Sequence, residues 1–220
     1  MNKVYQFPKS AVFGRNLAKS KIYQYASPST KIKNLFVQQV EKITWSYKLS
    51  QTTINLPPAQ AVHEIQVFSI GLKTEKLSDE VLSTIDKAIP SPILFELKHK
   101  SSIQYVACYK RPNKVDKDKW IASNYFHSGW IEDNAPTTEL PIVLNMAALY
   151  QSLLTKISPL PFRKGESLDD LVDRFYRLQA NEKEQVKLEN QITKEKQYNR
   201  RVELNRVLNK IKLEINNLKS

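Results

Sequence analysis

Apolar and polar positions along this chain alternate with two periods, and each change of period marks an element. Ile32, Leu35, Phe36, Val40 and Ile43 recur at helical spacing behind Ser29 or Thr30, either of which suits an N-cap, and predict a helix over 30–42. Ile43, Trp45, Tyr47 and Leu49 then alternate with Thr44, Ser46 and Lys48, the period of a half-buried strand over 43–49. A second strand is expected over 62–73, in "HEIQVFSIGLK". "SDEVLSTIDKAIP" reads as a helix over 78–89: acids follow Ser78 in the first turn, Val81, Leu82, Ile85 and Ile89 form one stripe, and Pro90 stops it. "PILFELKHK" and "IQYVACYKR" predict strands over 92–100 and 103–111, joined by a short polar link as a β-hairpin. A further strand or hairpin is expected over 119–131, and a buried helix over 141–157, ended by Pro159 and Pro161. Residues 1–28 show no clear period and read as irregular, with a short helix around 14–21.

The pattern changes after "PFRKGE". Ser167 and Asp170 have capping-box spacing, with Asp in place of Glu, and from Ser167 to Ser220 there is neither glycine nor proline. One unbroken helix over that stretch would extend ~80 Å at about 1.5 Å per residue, well beyond a domain diameter. Leu168, Leu171, Val172, Phe175 and Leu178 form an apolar seam at its start; Leu204, Val207, Leu208, Ile211, Ile215 and Leu218 form another at its end. A helix that leaves an apolar stripe bare is not held by propensity, so both seams need a cover. A fold back into a hairpin, a second copy, or a different protein would each supply one. The repeat slips near 199–202, which fits a break there. We therefore expect an α+β fold: a small, mostly antiparallel sheet covered by helices over 1–165, then a long, coiled-coil-like helical extension over 166–220.

Composition adds charge to this picture. The chain has 220 residues, 41% of them hydrophobic and 25% charged, enough for one substantial core. Its net charge of +12 is unevenly spread: nine Lys or Arg against the single acid Glu41 precede residue 64, whereas 64–166 is nearly balanced. Lysines and arginines attract phosphates through counterion release, and aromatics interleaved with them can stack on unpaired bases. That makes Lys9, Arg15, Lys19, Lys21, Lys31 and Lys33 a candidate nucleic-acid surface, which Lys110 and Arg111 would extend. The bland alternative is that the aromatics anchor this segment while the lysines are merely solvated. Neither a signal-peptide core nor the ~20 apolar residues of a membrane span is present, and one cysteine excludes an internal disulfide, so a cytoplasmic protein is expected.

Catalytic chemistry finds little support. Asp86, Glu96 and Lys98 imitate the spacing of a Mg²⁺-dependent nuclease, an acid followed by Glu-x-Lys on a strand. Asp86 belongs to the predicted helix, however, and Glu96 and Lys98 share one strand face opposite Ile93, Phe95 and Leu97, which reads as the solvated side of an ordinary strand. His63, His99 and His127 lie too far apart for a ligand set, Cys108 reads as a small buried hydrophobe, and Asp116, Asp118, Glu132 and Asp133 read as loop carboxylates. No phosphate-binding glycine motif or nucleophile elbow occurs, and no metal or cofactor is expected.

The runs "VEKITWSYKLSQTTINLP", "EIQVFSIGLK", "IDKAIPSPILFEL" and "YVACYKR", with "FGRNLAKSKIYQY" near the start, resemble the bacterial domain of unknown function 4391 family over about residues 5–165. That resemblance implies an accessory role beside helicases and DNA methyltransferases in restriction-like or phage-defence modules, and it supplies no catalytic residue. The expected function is accordingly a non-enzymatic accessory subunit. It would touch DNA or RNA through the basic N-terminal surface. It would dock a helicase or methyltransferase subunit, or a second copy of itself, through Leu204, Leu208, Ile211, Ile215 and Leu218. Two alternatives stay open: a protein-interaction scaffold that never meets nucleic acid, and a nuclease using Asp86, Glu96 and Lys98.

Overall fold

The structure, a computed structural model, describes residues 3–113 and 120–220; Asp116, Asp118 and the first residue of the strand expected from 119 lie outside the described residues. In chain order the elements are β1 (Val4–Gln6), a 3-10 turn (Lys9–Ala11), β2 (Val12–Asn16), α1 (Lys19–Ala26), α2 (Thr30–Gln39), β3 (Val40–Ser50), α3 (Gln51–Ile54), β4 (Glu64–Leu72) and α4 (Asp79–Ala88). They continue with β5 (Ile93–His99), β6 (Ser102–Pro112), β7 (Trp120–His127), β8 (Ile131–Glu132), β9 (Thr137–Glu139), α5 (Met146–Ile157), α6 (Leu168–Lys194) and α7 (Tyr198–Lys219). Contacts divide them into two compact units, Met1–Pro159 and Leu160–Ser220. Among the described residues, no helix is long and apolar enough to cross a membrane.

The first unit is built on a sheet ordered β2-β3-β4-β5-β6-β7, with β8 paired to the far part of β6. Every neighbouring pair is antiparallel except β4 and β5, which run parallel because α4 carries the chain across between them. One face holds the main core: Phe68, Ile70 and Leu72 of β4, Ile93, Phe95 and Leu97 of β5, and Val106 and Cys108 of β6 meet Ile22, Phe36, Val81, Leu82 and Ile85 from α1, α2 and α4. The opposite face takes α5 and the N-terminal strand, where the Tyr5 ring meets Tyr105 at 5.2 Å and Phe7 stacks on Tyr47 at 4.5 Å. Most side chains of β4 and β5 are therefore buried on both faces, as parallel neighbours usually are.

Helix starts follow local chemistry. Ser29 accepts from the Ile32 amide and Ser78 from the Glu80 amide, and Asp79 and Glu80 lie in the first turn of α4, where the helix dipole favours negative charge. The helix expected from 141 begins only at Met146, because Asn145 accepts the Ala148 amide at 2.9 Å and fixes the cap there. The helix expected to reach 42 stops at Gln39, since Val40 already pairs with Leu72 in the sheet. The N-terminus read as irregular carries two strands, and the short helix expected around 14–21 lies later, at Lys19–Ala26, because Val12–Asn16 pairs with β3. β2 escaped notice because it is an exposed edge strand whose register shifts between Val12 and Arg15, around Gly14 at φ +65°.

The second unit is a helical hairpin. Ser167 and Asp170 form the reciprocal capping box that starts α6. The turn at 195–197 has no glycine or proline; the Glu195 carboxylate accepts the Gln197 amide at 2.9 Å and pairs with Arg200 at 3.3 Å. α7 returns antiparallel, with ion pairs Arg177–Glu214, Lys212–Glu189 and Lys219–Glu182, exposed contacts that each contribute little. Leu208, Ile215 and Leu218 are buried, as are Leu171, Phe175, Leu178 and Leu188 of α6. Leu208, Ile215 and Leu218 of the candidate docking seam thus help close the hairpin, one of the covers the sequence left open, while Leu204 and Ile211 stay half-buried.

Arg174 fastens the open end of this hairpin. Its guanidinium binds Glu166 through Nε at 2.7 Å and Nη2 at 2.8 Å, and also donates to the carbonyls of Leu218 at 2.7 Å and Pro161 at 2.6 Å. The hydrogen bonds from Arg174 hold the Glu166 carboxyl below its ordinary 4.5. Arg174→Ala should destabilise the hairpin by about 1–3 kcal/mol, because it removes four hydrogen bonds and leaves the half-buried Glu166 carboxylate with only the Arg163 amide. Acid should have the same direction of effect. A depressed folded pKa gives stability that is complete above the unfolded value and is lost as pH falls through the folded one. Amide exchange of α6 and α7 in the full chain should therefore accelerate in Arg174→Ala at neutral pH, and in the wild type only below the ordinary glutamate range.

Candidate nucleic-acid interface

α1 and α2 carry four lysines between them, Lys19, Lys21, Lys31 and Lys33, and no acid. Both helices lie on the main-core face, and Lys21, Lys31 and Lys33 project away from it. Arg15 joins them from β2, on the same side as Trp45, with its guanidinium 4.7 Å over the Phe13 ring. Two of these cations already have partners. Lys19 donates to the carbonyls of Phe36 and Val40, at 2.9 and 2.6 Å, and so caps the C-terminus of α2; burial, with help from Lys73, lowers its pKa. Lys31 pairs with Glu80 at 3.2 Å. Lys9 stands apart, since it follows Phe7, which stacks on Tyr47 over the opposite face of the sheet.

Lys110 leaves this surface altogether. It alternates with Val106 and Cys108 on the core side of β6, is only 4% exposed, and directs its ammonium beneath the last turn of α4. There it donates to the Asp86 carbonyl at 2.7 Å, to Asp86 Oδ1 and the Ser91 carbonyl at 3.4 Å each, and to the Ile89 carbonyl. These acceptors are the end of a helix and its exit, where unpaired carbonyls and the dipole both favour a cation. Asp86 Oδ2 accepts from the Tyr125 hydroxyl and, at 3.5 Å, from the Cys108 thiol. Burial drives the Asp86 carboxyl up, with Lys110 opposing, and also drives the Cys108 thiol and Tyr125 phenol up, so both remain protonated donors. Such a thiol is no nucleophile. Arg111, next along β6, is half-buried.

Asp86 and Glu96 consequently lie on opposite faces of the sheet, and the nuclease constellation is not assembled. Glu96 is not solvated either: it is 5% exposed, under the face that α5 and β1 cover. Its Oε2 accepts from Ser69 Oγ at 2.5 Å and pairs with Lys98 at 3.0 Å, while Ser69 meets Ser46 Oγ at 2.7 Å. The nearby Tyr105 hydroxyl accepts the Tyr5 amide at 2.9 Å, and burial together with the Glu96 charge pushes its pKa up. The carboxylate thus joins β4, β5 and β6, and through Tyr105 the N-terminal strand. Among the described residues no group of three or more His, Cys, Asp or Glu is placed to hold a metal ion.

A family model described as a domain of unknown function, DUF4391, matches residues 6–215. The chain belongs to the DUF4391 family. No curated protein and no solved structure matches it. The match to DUF4391 runs on into the hairpin, beyond the 5–165 over which the resemblance was read, and it assigns no activity.

The sequence reading passed over Tyr150, Tyr125 and Ser69. Tyr150 spans the register shift between Cys108 and Lys110: its hydroxyl accepts the Lys110 amide at 2.8 Å and donates to the Cys108 carbonyl at 2.5 Å. A signal for the Lys110 cluster did exist. Asp86 falls four residues after Leu82, on the apolar stripe of α4, and Lys110 falls two after Cys108 on an apolar strand face, so each charge sits where only a buried partner would admit it.

Lys110→Met should cost about 3–5 kcal/mol in denaturant unfolding, since Asp86 is left buried without its cation. The deficit should widen as pH rises. Without Lys110 the folded pKa of Asp86 is raised further, and a raised carboxyl gives stability that is full below the unfolded pKa and is lost as pH climbs through the folded one. Adding Asp86→Leu should recover part of the loss and remove the pH dependence.

Proposed function

We propose that this protein is a non-enzymatic accessory subunit of a DNA-processing or phage-defence assembly, and that it contacts nucleic acid through the outer side of α1, α2 and the β2 edge. The observation that carries the reading is the cluster of outward cations Arg15, Lys21 and Lys33, exposed on β2, α1 and α2 with no carboxylate on either helix. Solvated surfaces usually mix the two signs, whereas a single-sign patch attracts a polyanion and releases its counterions. The resemblance to the family, with its implied setting beside helicases and methyltransferases, supports DNA as that polyanion. The hairpin would meet the protein partner as a folded module, over the outer residues Val202, Val207 and Leu213 of α7, now that Leu208, Ile215 and Leu218 close its interior.

A salt-titrated polarisation assay with labelled DNA and RNA tests this reading. Binding should appear at low ionic strength, weaken steadily with salt, and fall at least tenfold in Lys21→Glu/Lys33→Glu, two exposed positions. Absence of binding at the lowest ionic strength would remove the nucleic-acid half and leave the scaffold.

A further inference from the structure

We infer that the nucleic acid taken by this layer is a duplex held by its phosphates rather than an unpaired strand held by its bases; the inference rests on the nucleic-acid reading above. A surface that grips unpaired bases needs free aromatic faces on which successive bases stack. The N-terminal aromatics look like such a platform in sequence, but the fold has engaged nearly all of them. Tyr5 and Phe7 are buried against Tyr105 and Tyr47. Phe13 meets Trp45 at 4.1 Å and carries the Arg15 guanidinium 4.7 Å over its ring. Tyr23 sets its edge on Phe36 at 5.3 Å and carries the Lys33 ammonium 5.7 Å over its ring. Tyr25 alone, 74% exposed, offers a free face, and one ring cannot hold consecutive bases.

The cations follow the opposite logic. Arg15 and Lys33 rest over rings that steady them and are exposed, as is Lys21 on α1. None of the three has a carboxylate partner among the described residues, whereas Lys19 is bound to α2 carbonyls and Lys31 to Glu80. Three outward charges, two of them steadied over rings, without free stacking faces beside them suit a regular phosphate backbone, and they set the expected salt dependence. At about 0.9 counterions per contact on duplex DNA, the slope of log K against log salt should lie near −2.7.

The test is fluorescence anisotropy of the full chain with a labelled duplex and a labelled oligo(dT) strand of equal length, each across a salt series. Circular dichroism should confirm that every variant is folded. The duplex should bind more tightly at every salt concentration. Lys21→Ala and Lys33→Ala should each make its slope shallower by about 0.9, and Tyr25→Ala should leave duplex affinity within twofold. Tighter binding of oligo(dT), with a tenfold loss in Tyr25→Ala, would overturn the inference while sparing the reading beneath it. A slope unmoved by either lysine variant would overturn the assignment of this surface. Binding to neither ligand at low ionic strength would defeat the inference and the underlying reading together.

Discussion

The first unit depends on one buried cation. α4 is the crossover that makes β4 and β5 parallel, and its last turn would end over the core with carbonyls lacking partners. Lys110 reaches up from β6, two strands away from where the crossover begins, and binds those carbonyls and Asp86 together. Because a buried ammonium tolerates no loose partner, the position of α4 over the sheet is specified by charge as well as by shape. Tyr125 and Cys108 complete the carboxylate from β7 and β6, and Tyr150 of α5 braces the same stretch of β6 from the other side.

The helices proposed to contact nucleic acid sit on this foundation. α1 and α2 pack against α4, through Ile22 and Phe36 meeting Val81, Leu82 and Ile85, and Lys31 ties the start of α2 to the start of α4 through Glu80. Lys19 closes the far end of α2. Basic residues therefore divide by role: Lys110 and Lys19 hold helix ends in place, Lys31 is paired with Glu80 at the surface, and Arg15, Lys21 and Lys33 are left facing outward. The opposite face uses its charge differently. Glu96 is buried beneath the N-terminal strand, where its bonds to Ser69 and Lys98 tie β4 to β5.

Much of this was legible in the sequence where one period ran undisturbed. The stripe Val81, Leu82, Ile85 and the alternation through "ILFEL" located α4 and β5 to within a residue or two, because burial on a fixed face imposes the period. β2 was not legible, being an edge strand with exposed side chains and a bulge at Gly14. Nor was the partner of the C-terminal seam, since an apolar stripe states that it needs a cover without naming it; Arg174 and the capped turn at Glu195 turn the chain on itself. Glu96 illustrates the same limit on a smaller scale. Alternation assigned its face correctly, but whether that face met water depended on Tyr5 and α5, far away in the chain. The candidate surface suffered most from this. Its lysines were found by composition, while Lys110 was misplaced because charge density along a sequence carries no information about which side of a strand is covered.

Hydrogen exchange on the Lys110→Met variant tests most directly whether this one cation supports the basic layer. The amides of α4, α1 and α2 should lose protection together while those of α6 and α7 keep theirs. Loosening confined to the last turn of α4, with α1 and α2 protected as in the wild type, would contradict the account.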